Sequence, residues 1–126
     1  MKGEIGGPRR DLTARTFEFA RHIILLCRSL DQAPGVSRIL ANQLLRAGTS
    51  IGANVEEGQA GQSRADFIAK YSIACKEARE TNYWLRLLVA ADVLPVTKLE
   101  GLIDESSQLI AILTTIIKKT RSNSGK

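Results

Sequence analysis

The chain is poor in the residues that bend, cross-link or catalyse. Proline occurs three times in 126 residues, at positions 8, 34 and 95. The spans 36–94 and 96–126 are therefore free of the strongest helix breaker. Histidine occurs once, as His22, and cysteine twice, as Cys27 and Cys75. Neither cysteine has a second Cys or His at ligand spacing, so both read as reduced core thiols and no metal site is expected. No GxxxxGK[ST] loop is present, and no cation–imidazole pair flanks Cys27 to activate it. Glu77 and Glu80 stand three apart, yet no histidine follows either, so the Glu-x-x-His pairs of a di-iron bundle are missing. Catalysis and cofactors are not expected. No apolar run approaches the roughly 18 residues of a membrane span. The opening MKGEIGGPRRD lacks the apolar stretch of a signal peptide. The expectation is a soluble, cytoplasmic protein with no membrane partner.

What is present is helical periodicity. Apolar residues make up 44% of the chain, enough for the core of one domain. A first helix is predicted from Asp11 to Leu30, with Leu12, Phe17, Ala20, Ile23, Ile24, Cys27 and Leu30 on its core face. "DQAPG" ends it. A second helix is predicted from Val36 to Glu57, with Gly58 as its C-terminal glycine. Ser63 and Asp66 form a capping-box-like start to a third helix, predicted from Arg64 to Asp92. Pro95 lies in the next turn, and Thr97 with Glu100 predicts the cap of a fourth helix. That helix carries Leu99, Leu102, Leu109, Leu113 and Ile116 in a near-heptad seam ending about Lys119. Short connections favour antiparallel neighbours. The predicted architecture is all-α, an up-down-up-down antiparallel four-helix bundle over residues 11–119, with loose segments at 1–10 and 120–126.

The helix faces carry more than a core. On the second helix, Leu40, Leu44, Ala47, Ile51 and Val55 form the core stripe. Gly48 and Gly52, each costing about 1 kcal/mol against alanine in a helix, lie with Ala41 on a flank where a neighbouring backbone can come close. Gln43, Arg46, Ser50, Asn54 and Glu57 form a polar row, either a structural hydrogen-bonded network or a solvated edge. On the third helix the core stripe is Phe67, Tyr71, Ala74, Cys75, Ala78, Leu85 and Val89. A second apolar stripe, Ile73, Trp84, Leu87 and Ala91, runs nearly opposite, beside Glu77 and Glu80. One bundle does not readily bury both sides, so this stripe predicts self-association with Trp84 as anchor, unless the helix is central within one subunit.

Between the two stripes lie Ser72, Lys76, Arg79, Tyr83 and Arg86. Three cations and a tyrosine on one line suit a phosphate backbone with a base stacked on the ring, although such a line is also an ordinary solvated face. Arg21 and Arg28 make a shorter basic edge on the first helix, and Lys118, Lys119, Arg121 and Lys126 a basic end. Lysine plus arginine exceed aspartate plus glutamate by 18 to 13, a net charge of +5. That balance permits nucleic acid as a partner without requiring it.

"RAGTSIGANVEEG" followed by "SRADFIAKYSIACKEARETNYWLRLL" resembles the four-helix bundle family encoded by intervening sequences in large-subunit ribosomal RNA genes. The first motif falls on Arg46, Ala47, Ser50, Ile51, Asn54, Glu57 and Gly58. The second falls on Phe67, Ile73, Ala74, Glu77, Glu80, Trp84 and Leu85. Gly52 departs from the proline common in relatives, and Glu56 from a small residue. The same fold includes the accessory variability proteins of diversity-generating retroelements. The resemblance implies a homopentameric ring with a central channel. It also implies possible partners: RNA or DNA and, in the retroelement branch, a reverse transcriptase. The other reading is a scaffold for a protein such as a ribosome-associated factor.

Overall fold

The computed structural model describes residues 7–32 and 34–124, with side chains from 11 to 123. Four helices follow in order: α1 (Gly7–Leu30), α2 (Val36–Gln59), α3 (Arg64–Ala90) and α4 (Val96–Ser124). No strand occurs among the described residues. Cross-helix contacts fix an antiparallel register throughout. Cys27 donates to the Ala41 carbonyl, while a side chain at Gly52 would meet Thr16, so α1 and α2 run oppositely. Arg46 pairs with Glu77 and Lys70 with Glu57, reversing α3 on α2. Asn82 reaches Ser106 while Cys75 lies against Ile110, reversing α4 on α3. The result is an up-down-up-down four-helix bundle. Its fourth side is the loosest: α1 and α4 touch sparsely. A bidentate bridge, Arg15 to Glu105 at 2.7 and 3.0 Å, spans them, and that hydrogen bonding raises the Arg15 pKa.

The core stripe of α1 differs from the predicted one. Phe17 is 66% exposed and Ile24 41% exposed, whereas Thr16 and Phe19 are buried. The buried positions are 12, 16, 19, 23, 27 and 30, and the polar Thr16 among them hides the phase of the stripe. Its hydroxyl is satisfied by the Thr13 carbonyl at 3.2 Å. On α3, Thr81 and Leu88 are buried and Val89 only half-buried; Thr81 donates to the Glu77 carbonyl at 2.8 Å. Every buried side-chain polar atom among the described residues has a partner.

Helix ends also depart from prediction in specific ways. Gly58 lies inside α2, which ends at Gln59, and it is a packing residue: a Cβ there would stand 2.8 Å from the Tyr71 ring. Ser63 caps α3 as expected, accepting from the Asp66 amide at 3.1 Å. Thr97 is not a cap, because α4 begins at Val96 and the Lys98 amide bonds the Pro95 carbonyl at 3.1 Å. Gly35 turns the chain between α1 and α2 with φ 82°, a conformation open to glycine. α3 stops at Ala90, short of the predicted Asp92, whereas towards the two ends of the chain helical structure extends past the predicted limits. Gly7–Arg10 belong to α1, where Pro8 is tolerated in the first turn. α4 reaches Ser124 because Thr120 is buried and bonds the Ile116 carbonyl at 2.8 Å. The rest of the predicted N-terminal loose segment, residues 1–6, and Lys126 lie outside the described residues.

Cys27 is buried, and burial raises its thiol to about 11 from 9.0, with the nearby Asp31 adding to the shift. At pH 8 about one such thiol in a thousand is ionised. Native protein is expected to alkylate Cys27 only as fast as it unfolds, whereas denatured protein alkylates it freely; peptide mass spectrometry after iodoacetamide treatment reads the difference. Since the pKa is raised on folding, the same thiol stabilises the fold below pH 9 and loses that contribution as pH rises towards 11.

Candidate nucleic-acid interface

The packing of α3 on α4 brings together cations that are far apart in sequence. Ser72, Cys75, Lys76 and Arg79 of α3 and Thr114, Ile117, Lys118 and Arg121 of α4 line one groove of about 310 Å³. Four of its eight lining residues are cationic and none is acidic. The floor is set by sequence: Cys75 is buried and lies 3.5 Å from the Thr114 hydroxyl. From Leu109 to Ser124, α4 contains no aspartate or glutamate. Lys119 is exposed one position from the groove lining.

Further along α3 stand Tyr83 and Arg86. Tyr83 is 49% exposed, and its ring meets that of Trp84 edge-on at 5.2 Å. The Arg86 guanidinium carbon lies 6.0 Å from the Tyr83 centroid. Arg86 donates to the Asn82 side chain at 2.7 Å, and Asn82 in turn donates to Ser106 on α4 at 2.9 Å. The cation is thus held in place by the α3–α4 contact. The structure does not bring Arg21 and Arg28 to this surface. They sit on α1, whose backbone does not approach that of α3. Arg21 is engaged by Glu18 at 2.5 and 3.1 Å, an interaction that raises its pKa and lowers that of Glu18. Arg28 lines a separate hollow with Ile24, Asp31 and Leu45.

Four residues of the polar row of α2 fall into three pairings, while Gln43 is exposed. Arg46 spans two carboxylates of α3, Glu77 at 3.2 Å and Glu80, and Glu80 also accepts from the Trp84 indole at 3.0 Å. Asn54 bonds the Ser50 carbonyl and hydroxyl within α2. Glu57 pairs with Lys70 at 2.9 Å. Among these, Glu77 is the buried partner, its side chain only 10% exposed. Removing Arg46 strands that carboxylate. Arg46→Ala is expected to cost about 1–2 kcal/mol in chemical denaturation, the Arg46 side chain itself being half exposed to solvent. Arg46→Lys recovers only part, since one ammonium does not reproduce a planar fork across two carboxylates.

Of the second α3 stripe, Ile73 and Ala91 are exposed while Trp84 and Leu87 are half-buried. Gly52 faces α1 of its own chain, where its missing Cβ would lie 3.2 Å from the Thr16 carbonyl oxygen. The apolar surface missed in the sequence is Phe17 and Ile24, one face of α1, with Leu45 of α2 beside Ile24. A heptad count anchored on Thr16 would have found it.

Among the described residues, no group of three or more His, Cys, Asp or Glu stands close enough to hold a metal ion. No helix there is long and apolar enough to cross a membrane. The family model described as 23S rRNA-intervening sequence protein matches residues 10–115. No curated protein matches the chain. Among solved structures, a protein of unknown function from the S23 ribosomal protein family of Bacteroides thetaiotaomicron is similar at 40% identity. The match covers 88% of this chain and 98% of that one, with a TM-score of 0.81. With the family model matching residues 10–115 and the fold shared with a 40% identical relative, the chain belongs to the 23S rRNA-intervening sequence protein family.

Proposed function

We propose that this protein is a non-enzymatic, self-associating bundle that binds RNA or DNA through the α3–α4 groove. The observation that carries the reading is the convergence of Lys76, Arg79, Lys118 and Arg121, from two helices, around one hollow without an acidic lining residue. Phosphate contacts supply most of the affinity in such interfaces, and they need clustered, solvent-accessible cations. Self-association follows from the exposed apolar residues Phe17, Ile24, Leu45 and Ile73, which an isolated bundle leaves in water. A homopentameric ring is the assembly proposed. At +5 per chain, five copies sum to +25, and repeated weak sites then act together.

The test is size-exclusion chromatography with light scattering, with and without total bacterial RNA at low salt. The expected result is a particle of about five subunits that gains mass with RNA. A monomer at tens of micromolar refutes the ring. A ring indifferent to RNA favours the second reading, a scaffold whose apolar α1–α2 surface engages a protein such as a reverse transcriptase or ribosome-associated factor. That reading rests on the same Phe17, Ile24 and Leu45, of which a ring need not cover all.

A further inference from the structure

We infer that the interface takes an unpaired strand, with Tyr83 as the platform on which a base stacks; this rests on the nucleic-acid reading above and narrows its substrate class. The groove lining ends on α3 at Arg79, but the same line of the helix runs on from Lys76 and Arg79 to Tyr83 and then Arg86, about 15 Å along the axis. At the groove end, cations from both helices line an open hollow of about 310 Å³, room for a phosphate and sugar. At the far end of that line the chemistry changes from charge alone to a half-exposed ring with the Arg86 guanidinium carbon over it, 6.0 Å from the centroid.

The ring is held for this use. Trp84 braces it edge-on at 5.2 Å, and Trp84 is itself anchored by its indole bond to Glu80. Arg86 is fixed by Asn82, which is tied to α4. Glu80, one turn from Trp84, is engaged by Arg46 and by the Trp84 indole. A tyrosine face is of use only to a base whose own face is free. In a duplex, the bases cover one another and present only their edges and the backbone. A row of phosphate-binding cations leading to an aromatic face is therefore suited to single strands, where stacking adds sequence-tolerant affinity. The bond between ligand and protein is non-covalent throughout.

The experiment is fluorescence anisotropy on the full chain with a labelled 12-nucleotide RNA, the same sequence as single-stranded DNA, and the matching blunt duplexes. Tyr83→Ala and Tyr83→Phe are measured beside the wild type, with thermal denaturation as the folding control. Tyr83 is half exposed, so neither variant is expected to unfold. The expected result is that single strands, RNA or DNA, bind more tightly than duplexes. Tyr83→Ala should weaken single-strand binding about 5- to 150-fold and leave duplex binding unchanged, while Tyr83→Phe keeps wild-type affinity. Equal affinity for strands and duplexes, or a Tyr83→Ala protein that binds single strands normally, overturns the stacking inference and leaves the groove as a phosphate site. Binding of no probe by the wild type overturns the nucleic-acid reading itself.

Discussion

Gly48→Leu is expected to destabilise the bundle by about 3 kcal/mol or more, lowering the melting temperature by roughly 10 °C. The Cβ alone would stand 2.9 Å from two carbons of Ile23, which is fully buried. Neither side of that contact has room to yield, since α1 and α2 meet there along the missing side chains of Gly48 and Gly52. At Gly52 the opposing atoms are the Thr16 carbonyl group and hydroxyl at 3.2–3.3 Å. Backbone yields less readily than a side-chain tip, so Gly52→Ala should also destabilise. The control is Gly101 on α4, where an added Cβ meets nothing within 4 Å. Gly101→Ala is expected to stabilise by about 1 kcal/mol, through helix propensity alone. Urea denaturation of the three variants separates the terms. If Gly48→Leu melts like the wild type, the glycines do not serve close packing and their cost has another cause.

The glycine result bears on how much a reader of the sequence sees. Helix number, order and antiparallel arrangement were legible because proline is rare and falls between helices or, as Pro8, in a first turn, and because leucine and isoleucine recur at helical spacing. The close-packing role of Gly48 and Gly52 was legible as a flank of small residues. Which helix they press on was not, because that depends on the neighbour's phase. That phase was misread on α1, where Thr16 is buried and Phe17 beside it is exposed, against the hydropathy of both. Gly58 shows the same limit at a helix end: its position suits a cap, but Tyr71 decides its use. The cationic line of α3 was visible as a line. Its pairing with Lys118 and Arg121 is a property of the α3–α4 register, which no single helix carries.

The largest functional effect is expected from the triple variant Lys76→Glu, Arg79→Glu, Arg86→Glu, which should bind RNA at least about 100-fold more weakly at low salt, each lost phosphate contact also gaining a repulsion. All three side chains are exposed, so the fold should survive, as circular dichroism will check. Each reversal changes the charge by two, taking the chain from +5 to −1. So large a change would weaken binding even at a distant site, and a charge-reversal variant elsewhere on the surface is needed for comparison. Arg21→Glu, Arg28→Glu lowers the charge from +5 to +1 on α1, away from the groove. If the groove is the interface, the α1 variant loses only a few-fold and keeps the wild-type salt dependence. The α3 variant should show a log–log salt slope shallower by about 2, the value for three phosphates on a single strand at about 0.7 each. Equal losses and equal slopes for the two variants would mean that the field of the whole particle, and not the α3–α4 groove, draws RNA to the protein. Undiminished binding by the α3 variant would remove the groove from consideration and turn attention to the apolar α1–α2 surface and a protein partner.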